Sequence, residues 1–179
     1  MDEQSPPYPM VGLLFFYKPL PSAALFLPPV NKLQFRIIQT GTPAYDEMIS
    51  LRMKMLLGPI AIPRSYINPQ KEASDLLLGV YEQDKLIGCC ILTPLDTQTV
   101  QLRQMAVDTT VQKTGVGRVV LFFAESVAKE KEYKTMVMNA RDSVLPFYQK
   151  CGYSIAGNQF YEVGIPHHKM HKILSSERG

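Results

Sequence analysis

The sequence has few cysteines, no long apolar run and little excess of charge, and each absence argues against a class of protein. Its three cysteines, Cys89, Cys90 and Cys151, supply neither a disulfide framework nor a paired Cys-x-x-Cys metal clip. No uninterrupted apolar run reaches the roughly 18 residues that a membrane span needs. The 19 basic and 16 acidic residues are spread along the chain, so nothing indicates nucleic-acid binding. We expect one domain with a tail, located in the reducing cytoplasm.

The first 34 residues have a different composition from the rest and form a proline-rich N-terminal extension. Prolines repeatedly interrupt its apolar patches, and it opens with Asp2 and Glu3, whereas a signal peptide opens with basic residues. We therefore interpret residues 1–34 as an extended tail and residues 35–179 as the domain. Packing on a partner, disorder and an over-long start remain open as explanations of the tail.

The hydrophobic pattern after the tail predicts strands and helices in the order β-α-β-β-β-α-β-α-β-β. Thr42-Pro43 is typical of a helix start, and Gly58-Pro59 should end that helix. Residues 59–74 look irregular. Ser143 is the expected N-cap of the last helix, which Gly152 should close. The predicted strands include residues 35–39, 76–82, 86–93, 135–138, 153–160 and 167–173. This order predicts an α/β fold in which helices flank a mixed sheet of about seven strands.

The fourth strand changes its apolar face midway. Val100 and Leu102 share one side of an extended chain, whereas Met105 and Val107 share the other. One extra residue, a β-bulge, would produce this switch. Because a bulge leaves backbone donors and acceptors unpaired, we expect a ligand to bind here.

A glycine-rich turn follows that strand and precedes a long amphipathic helix, which should begin at Gly115. Backbone N–H groups and the positive end of the helix can bind an anion at such a turn. It is not a Walker A loop, because no Gly-Lys-Ser/Thr follows, and Val120 breaks the dinucleotide fingerprint. The glycines alone could merely allow a tight helix start. The turn consists of Gln112, Lys113, Thr114, Gly115, Val116, Gly117 and Arg118.

The pattern Gln112-x-x-Gly115-x-Gly117, after the strand Leu102 to Val107, closely resembles the acetyl-CoA signature of the GNAT superfamily of N-acetyltransferases. Further along, Met138 to Arg141 and Phe147 to Tyr153 resemble the second cofactor strand of that family and its following helix. The resemblance covers about residues 35–173. It implies a GNAT-like fold whose bulged fourth strand splays two parallel strands.

The resemblance also implies acetyl-CoA as co-substrate. Carried over by position, the backbone of Met105, Ala106 and Val107 would hold the pantetheine arm, and the turn from Gln112 to Arg118 would hold the pyrophosphate. Asn139 could bind the arm or orient a water, although an Asn at the end of a strand equally often caps a turn.

Direct acyl transfer needs an acid for the leaving thiolate and a base for the attacking ammonium. Tyr148 is the candidate acid and a further cofactor contact, although its spacing alone also fits an aromatic in the core. Glu162 and His167 are candidate bases acting through water. A backbone N–H at Met105 or Val107 could polarise the thioester carbonyl.

No metal site is expected. Among the three histidines, His167 and His168 should point to opposite faces of a strand, and no carboxylate or cysteine completes a ligand set with them or with His171. Cys151 is interpreted as a buried, inert thiol rather than a nucleophile.

We therefore expect an N-acetyltransferase that transfers acetyl from acetyl-CoA to a primary amine by direct attack in a ternary complex. A non-catalytic CoA-binding or interaction module on the same fold is the alternative, and a peptide-binding sheet edge is a weaker one. The acceptor, a small-molecule amine or a peptide amine, cannot be read from the sequence. We expect no nucleic-acid or membrane partner, and homodimers are common in the resembling family.

Overall fold

Seven strands and four α-helices make up the fold of residues 33–174, the part of the chain that this computed structural model describes. The strands are β1 Leu33–Ile38, β2 Leu76–Glu82, β3 Lys85–Pro94, β4 Thr99–Val107, β5 Thr135–Arg141, β6 Ser154–Glu162 and β7 Ile165–Ile173. The helices are α1 Pro43–Arg52, α2 Pro69–Glu72, α3 Val116–Glu130 and α4 Leu145–Lys150. The sheet order is β1-β2-β3-β4-β5-β7-β6. Only β4 and β5 are parallel neighbours in this part of the chain, so the predicted mixed sheet of seven strands is confirmed.

The central strands are buried on both faces because helices cover the sheet on each side. Along β2, Leu78 and Val80 belong to a core with α3, whereas Leu77 and Tyr81 belong to a second core with α1. Alternation of side chains along a strand assigns neighbours to opposite faces. This explains why β2 and β3 are continuous apolar runs rather than alternating ones.

Two hairpins close through two-residue turns. Gln83 and Asp84 join β2 to β3 with φ of 48° and 61°, and Val163 and Gly164 join β6 to β7 with φ of 52° and 71°. Two positive φ values in succession are typical of type I′ turns, whose twist matches that of paired strands. The first loop is one residue shorter than predicted, because Lys85 already pairs with Glu82.

Helix α1 starts where the sequence predicts it, and its end differs. The Thr42 hydroxyl accepts a hydrogen bond from the Tyr45 amide at 3.3 Å, which is an N-cap. The α-helix then passes at Met53–Leu57 into a π-helical turn and at Gly58–Ile60 into a 3₁₀ turn. A Cβ on Gly58 would lie 2.7 Å from the Met53 carbonyl oxygen, so the tight turn requires glycine there.

Several predicted boundaries are wrong by a few residues. Strand β1 begins at Leu33, inside the predicted tail, whose residues 1–32 lie outside the described part of the chain. Strand β5 runs two residues past Asn139, because pairing with β7 continues to Arg141. Ser143 is not the N-cap of α4; it lies in a 3₁₀ turn, and Val144 precedes the helix without a side-chain cap. The supposedly irregular residues 59–74 contain α2 and two 3₁₀ turns.

A buried ion pair joins α1 to α2. Arg52 is 0% exposed, and its guanidinium donates to both carboxylate oxygens of Glu72, at 2.7 and 2.9 Å. The Tyr45 hydroxyl donates to the same carboxylate at 2.8 Å. Burial alone would raise the pKa of Glu72, but these hydrogen bonds outweigh it and lower that pKa. The pair is therefore ionised at neutral pH.

We predict that Arg52→Ala lowers the free energy of unfolding by about 3–5 kcal/mol, because it leaves a buried carboxylate without its cation. The matched control is Arg64→Ala, which removes an exposed pair with Asp46 at 3.4 Å and should cost less than about 1 kcal/mol. Urea unfolding of both variants at pH 7 measures the difference. Equal effects of the two substitutions would contradict the assigned role of Arg52.

The same comparison has a pH dependence whose sign follows from Glu72. Its pKa is lower in the folded chain than in the unfolded chain, so the ionised pair stabilises the fold above the unfolded value near 4.3. This contribution is lost as the pH falls towards the folded pKa. The difference in unfolding free energy between wild type and Arg52→Ala should therefore become smaller at acidic pH.

Candidate active site

The bulge in β4 is present where the change of apolar face predicts it. Cys89 pairs with Ala106 and Ile91 pairs with Arg103, so between these pairs β4 has two residues where β3 has one. Gln104, one of the two, has φ of 46°, in the left-handed region. The bulged fourth strand is thus confirmed, and it reverses which side chains of β4 face which side of the sheet.

Arg52 also holds the bulge. Its Nε donates to the Gln104 side-chain oxygen at 2.7 Å, in addition to its two bonds to Glu72. The left-handed residue is therefore fixed by a buried cation that is itself fixed by a carboxylate. Sequence reasoning missed this network, although Arg52 lies four residues after the buried Met48 and so shares its face of α1.

Strands β4 and β5 separate just before the bulge. Their parallel pairing ends at Leu102 and Met138, whereas β5 continues to pair with β7. Within residues 33–174, the edge of β4 that faces β5 consequently has no strand partner at Met105, Ala106 and Val107. A cavity of about 440 Å³ opens along this edge, and Asn139 lies across it on β5. The separated strands offer backbone hydrogen-bonding groups to an extended ligand arm.

The glycine-rich turn lies at the end of the same edge. Lys113 and Gly115 have φ of 66° and 94°, and α3 starts at Val116, so the amides of Val116 and Gly117 have no intrahelical acceptor. The Gln112 side chain donates to the Val107 carbonyl at 3.2 Å and ties the turn to the bulged strand. This arrangement of unpaired amides at a helix N-terminus suits a phosphate group.

Helix α4 approaches the turn from the other side. A Cβ on Gly117 would lie 3.4 Å from the Phe147 ring and 3.7 Å from the Met105 methyl group. Gly117 therefore lets α3 approach both α4 and the bulge closely. Arg118 is placed beside the Cys151 thiol, where it lowers the thiol pKa against the larger, raising effect of burial.

Tyr148 connects α4 to the bulge and lines the cavity. Its side chain is 9% exposed, and its hydroxyl contacts the Met105 sulfur at 3.7 Å. Burial raises the pKa of Tyr148 above its ordinary value near 10, and the neighbouring Cys90 and Cys151 add to the rise. The phenol is therefore protonated, and able to donate, throughout the range in which amines lose their proton.

The predicted base candidates lie on β6 and β7, across the cavity from β4. His167 is 6% exposed, and its Nδ1 lies 2.8 Å from the Ile165 carbonyl, which can only accept. In the neutral ring this contact favours the tautomer with the proton on Nδ1 and the lone pair on Nε2. Glu162 is exposed and accepts a hydrogen bond from Asn139 at 3.5 Å. Asn139, on β5, thus contacts the end of β6 across β7.

The structure brings most of the predicted site residues to one cavity. Its lining includes Met105, Ala106, Val107, Gln112, Asn139, Tyr148, Glu162 and His167. The other predicted residues of the turn, Lys113, Thr114, Gly115, Val116, Gly117 and Arg118, follow Gln112 at the start of α3 and lie outside that lining. This division matches a long ligand with an arm in the cavity and a phosphate at its mouth.

One side of the cavity is largely new relative to the residues predicted from the sequence. Its apolar wall comes from the segment after α1 and comprises Met55, Leu56, Leu57, Ile60, Ile62 and Tyr66. Arg103 and Arg141 supply two guanidinium groups to the same cavity. No site residue was predicted in this segment, because its mixed helical turns have no regular period.

Neither a cluster of metal ligands nor a membrane-spanning helix is found among residues 33–174. Within residues 33–174, no three His, Cys, Asp or Glu side chains come close enough together to hold a metal ion. Over the same residues, the helices are too short or too polar to cross a membrane.

Comparison with known proteins supports the fold and the family. The model of the acetyltransferase (GNAT) domain matches residues 60–174. A Xenopus tropicalis protein named Probable N-acetyltransferase 14 is 34% identical over 84 residues, which are 45% of this chain and 41% of that protein. The chain spans about half the length of the curated relatives that it matches.

Two solved structures show the same fold at low sequence identity. A GNAT family acetyltransferase from Elizabethkingia anophelis with acetyl-CoA bound has a TM-score of 0.63 at 24% identity, over 80% of this chain and 99% of that one. An aminoglycoside 6′-N-acetyltransferase complexed with coenzyme A has a TM-score of 0.68 at 14% identity, over 82% and 99%. Since the family model covers more than half of the sequence, this chain belongs to the GNAT acetyltransferase family.

Proposed function

We propose that this protein is an N-acetyltransferase that transfers the acetyl group of acetyl-CoA to a primary amine by direct attack within a ternary complex. The observation that carries the proposal is the unpaired edge of β4 beyond Leu102, continuous with the amide-lined turn at the start of α3. Acetyl-CoA is the co-substrate in this proposal, in keeping with the family and with the molecules bound to the two solved neighbours. A cytoplasmic location and a homodimer remain predictions.

The residues fit the two parts of coenzyme A that differ most in chemistry. The pantetheine arm carries amides that can pair with the backbone of Met105, Ala106 and Val107 as a strand would. The pyrophosphate is an anion that can accept from the amides of Val116 and Gly117, with Lys113 and Arg118 adding positive charge.

Acetyl transfer forms a nitrogen–carbon bond and breaks the carbon–sulfur bond of the thioester. A backbone N–H of the bulge would polarise the carbonyl, as a donor in an oxyanion hole does. Tyr148 would give its proton to the departing thiolate. Burial raises the pKa of this phenol and so makes it a weaker acid. Burial in the same cavity would also raise the pKa of the thiol, so the difference between the two pKa values, which governs the proton transfer, changes less.

An acceptor that arrives as an ammonium loses two protons in becoming an amide. We assign removal of the first, before attack, to His167, which passes it to water. The second, lost from the tetrahedral intermediate, replaces the proton that Tyr148 gives to the thiolate. The favoured tautomer of His167 leaves Nε2 able to accept, directly or through one water. Glu162 would then attract the ammonium form of the acceptor to the cavity rather than remove its proton. The opposite assignment of these two residues is the alternative that experiment must exclude.

Binding of the co-substrate is tested by titrating acetyl-CoA calorimetrically into wild type, Gly117→Ala and Gly117→Glu. We predict that Gly117→Glu weakens binding at least about tenfold, because its carboxylate repels the pyrophosphate, and more than Gly117→Ala does. Thr97→Glu adds the same charge in the exposed turn before β4 and should bind as wild type does. If acetyl-CoA does not bind wild type, or binds Gly117→Glu equally well, the turn is not the pyrophosphate site.

The acid is tested by Tyr148→Phe, which removes one hydroxyl and leaves the packed ring. We predict that turnover falls about 10²–10⁴-fold while acetyl-CoA affinity changes less than about threefold. Thiol release measures turnover, and Tyr133→Phe near the end of α3 is the control. A binding module without catalysis would show no turnover in wild type, and full activity in the variant would remove Tyr148 from the mechanism.

The base is tested by comparing His167→Gln with Glu162→Gln across a pH series. We predict that His167→Gln lowers kcat most at neutral pH, and that the defect shrinks as the pH approaches the amine pKa near 10, where the acceptor arrives deprotonated. Glu162→Gln should mainly raise the acceptor KM. A pH-dependent loss of kcat in Glu162→Gln, with His167→Gln active, would reverse the assignment.

A further inference from the structure

Arg141 is a cationic side chain of the cavity that the transfer reaction does not use. Arg141 ends β5, lines the cavity, and donates only to the Leu56 carbonyl at 3.4 Å in the contacts seen for residues 33–174. None of the ion pairs in that part of the chain includes it. A guanidinium has five N–H donors, so most of its capacity is available to a ligand.

Two other charged groups nearby, Arg103 and Asp142, are already engaged. Arg103 donates to Thr93 at 3.1 Å and lies 3.8 Å from the Asp75 carboxylate. Asp142, next to Arg141 in the chain, is bound by His168 and Gln159. Arg141 is therefore the cation of the cavity that lacks an anionic partner among the described residues.

Arg141 lies next to His167, the proposed base. This position indicates which part of an acceptor molecule would carry a negative charge. Arg141 and His167 are directly opposite each other in the β5–β7 ladder, so their side chains leave the same face of the sheet. Opposite residues have Cβ atoms about 5 Å apart. Because both side chains line the cavity from neighbouring positions, an acceptor whose amine is at His167 can present a nearby anionic group to Arg141.

The remaining lining of the acceptor side is apolar. The wall formed by Met55, Leu56, Leu57, Ile60, Ile62 and Tyr66 has no charged side chain. Glu162 is the one carboxylate in the lining, against two guanidinium groups. A polycationic acceptor, such as a polyamine, would find too little negative charge here and would be repelled by Arg141.

We propose that the acceptor is an α-amino acid with an apolar side chain, whose carboxylate pairs with Arg141 while its amine meets His167 and its side chain lies on the Met55–Tyr66 wall. This inference rests on the proposed function, because it names the amine that the same site acetylates. An α-amino acid places an amine and a carboxylate on the same carbon, which suits two neighbouring partners such as His167 and Arg141. A bidentate pair between guanidinium and carboxylate gives direction as well as attraction.

The test compares L-leucine with L-leucinamide, which keeps the amine and the side chain, lacks the carboxylate and stands in for a peptide N-terminus. Spermidine serves as the polycationic acceptor, and thiol release from acetyl-CoA gives kcat/KM. We expect wild type to prefer leucine to leucinamide, after correction for the fraction of neutral amine, and to use spermidine least. Arg141→Gln should lower the leucine-to-leucinamide ratio at least about tenfold, since a charge-assisted hydrogen bond is lost.

Two further variants separate recognition from structure. Arg141→Lys keeps the charge and should restore part of the ratio, although not the bidentate geometry. Arg36→Gln removes an exposed arginine on β1 that pairs with Asp84, and it should leave the ratio unchanged. A loosened wall alone would affect leucine and leucinamide together, so it would lower both rates and leave their ratio the same.

The outcomes distinguish this inference from the proposed function. Preference for leucinamide or spermidine in wild type, or a ratio that Arg141→Gln does not change, overturns the inference and leaves acetyl transfer intact. If acetyl-CoA binds but no amine is acetylated, calorimetry of N-acetyl-L-leucine with the CoA-loaded protein decides, and the absence of binding overturns the inference. Lack of acetyl-CoA binding overturns the proposed function itself.

Discussion

The bulge at Gln104 is the constraint on which the candidate site depends. A regular β4 would continue to pair with β5 beyond Leu102, and its backbone groups would be consumed within the sheet. The bulge diverts the strand, so the edge of β4 from Met105 to Val107 that does not pair with β3 faces a cavity instead. Its left-handed residue is held by buried Arg52, which Glu72 neutralises. An ion pair between two helices thus stabilises a local backbone distortion in the neighbouring sheet.

Burial has opposite consequences at the two ends of this network. At Glu72, two donors compensate for the loss of water and keep the carboxylate ionised. At Tyr148, the Met105 sulfur is a poor partner, so burial instead keeps the phenol protonated. The number of good hydrogen-bond donors around each group thus decides its protonation state. Glu72 has several and is ionised, whereas Tyr148 has none among its described contacts and keeps its proton.

The parts of the fold that the sequence predicts well are those encoded in short stretches. The change of face between Leu102 and Met105 predicts the bulge, since each side chain of a strand reports its own face. Thr42-Pro43 and the glycines of the 112–118 turn likewise act through their own backbone geometry. Errors occur where pairing or packing decides: β5 extends to Arg141 because β7 continues beside it, and Val144 precedes α4 where Ser143 was expected. Arg52 and Glu72, separated by twenty positions, meet only in the folded chain.

The apolar wall of the cavity, on which the proposed acceptor would lie, is also hard to predict because packing rather than local sequence positions it. This difference between the two sides of the cavity bears on how acceptor specificity arises. The family model matches from residue 60 onward, so part of the apolar wall, from Met55 to Leu57, precedes the matched segment. The wall follows α1 through a π-helical and a 3₁₀ turn, whose backbone obeys no 3.6-residue period. The donor side is built on strands and a helix start that any member needs for its co-substrate. Changes in the wall can therefore alter the acceptor without disturbing the bulge, provided that Arg52, just before the wall, stays in place.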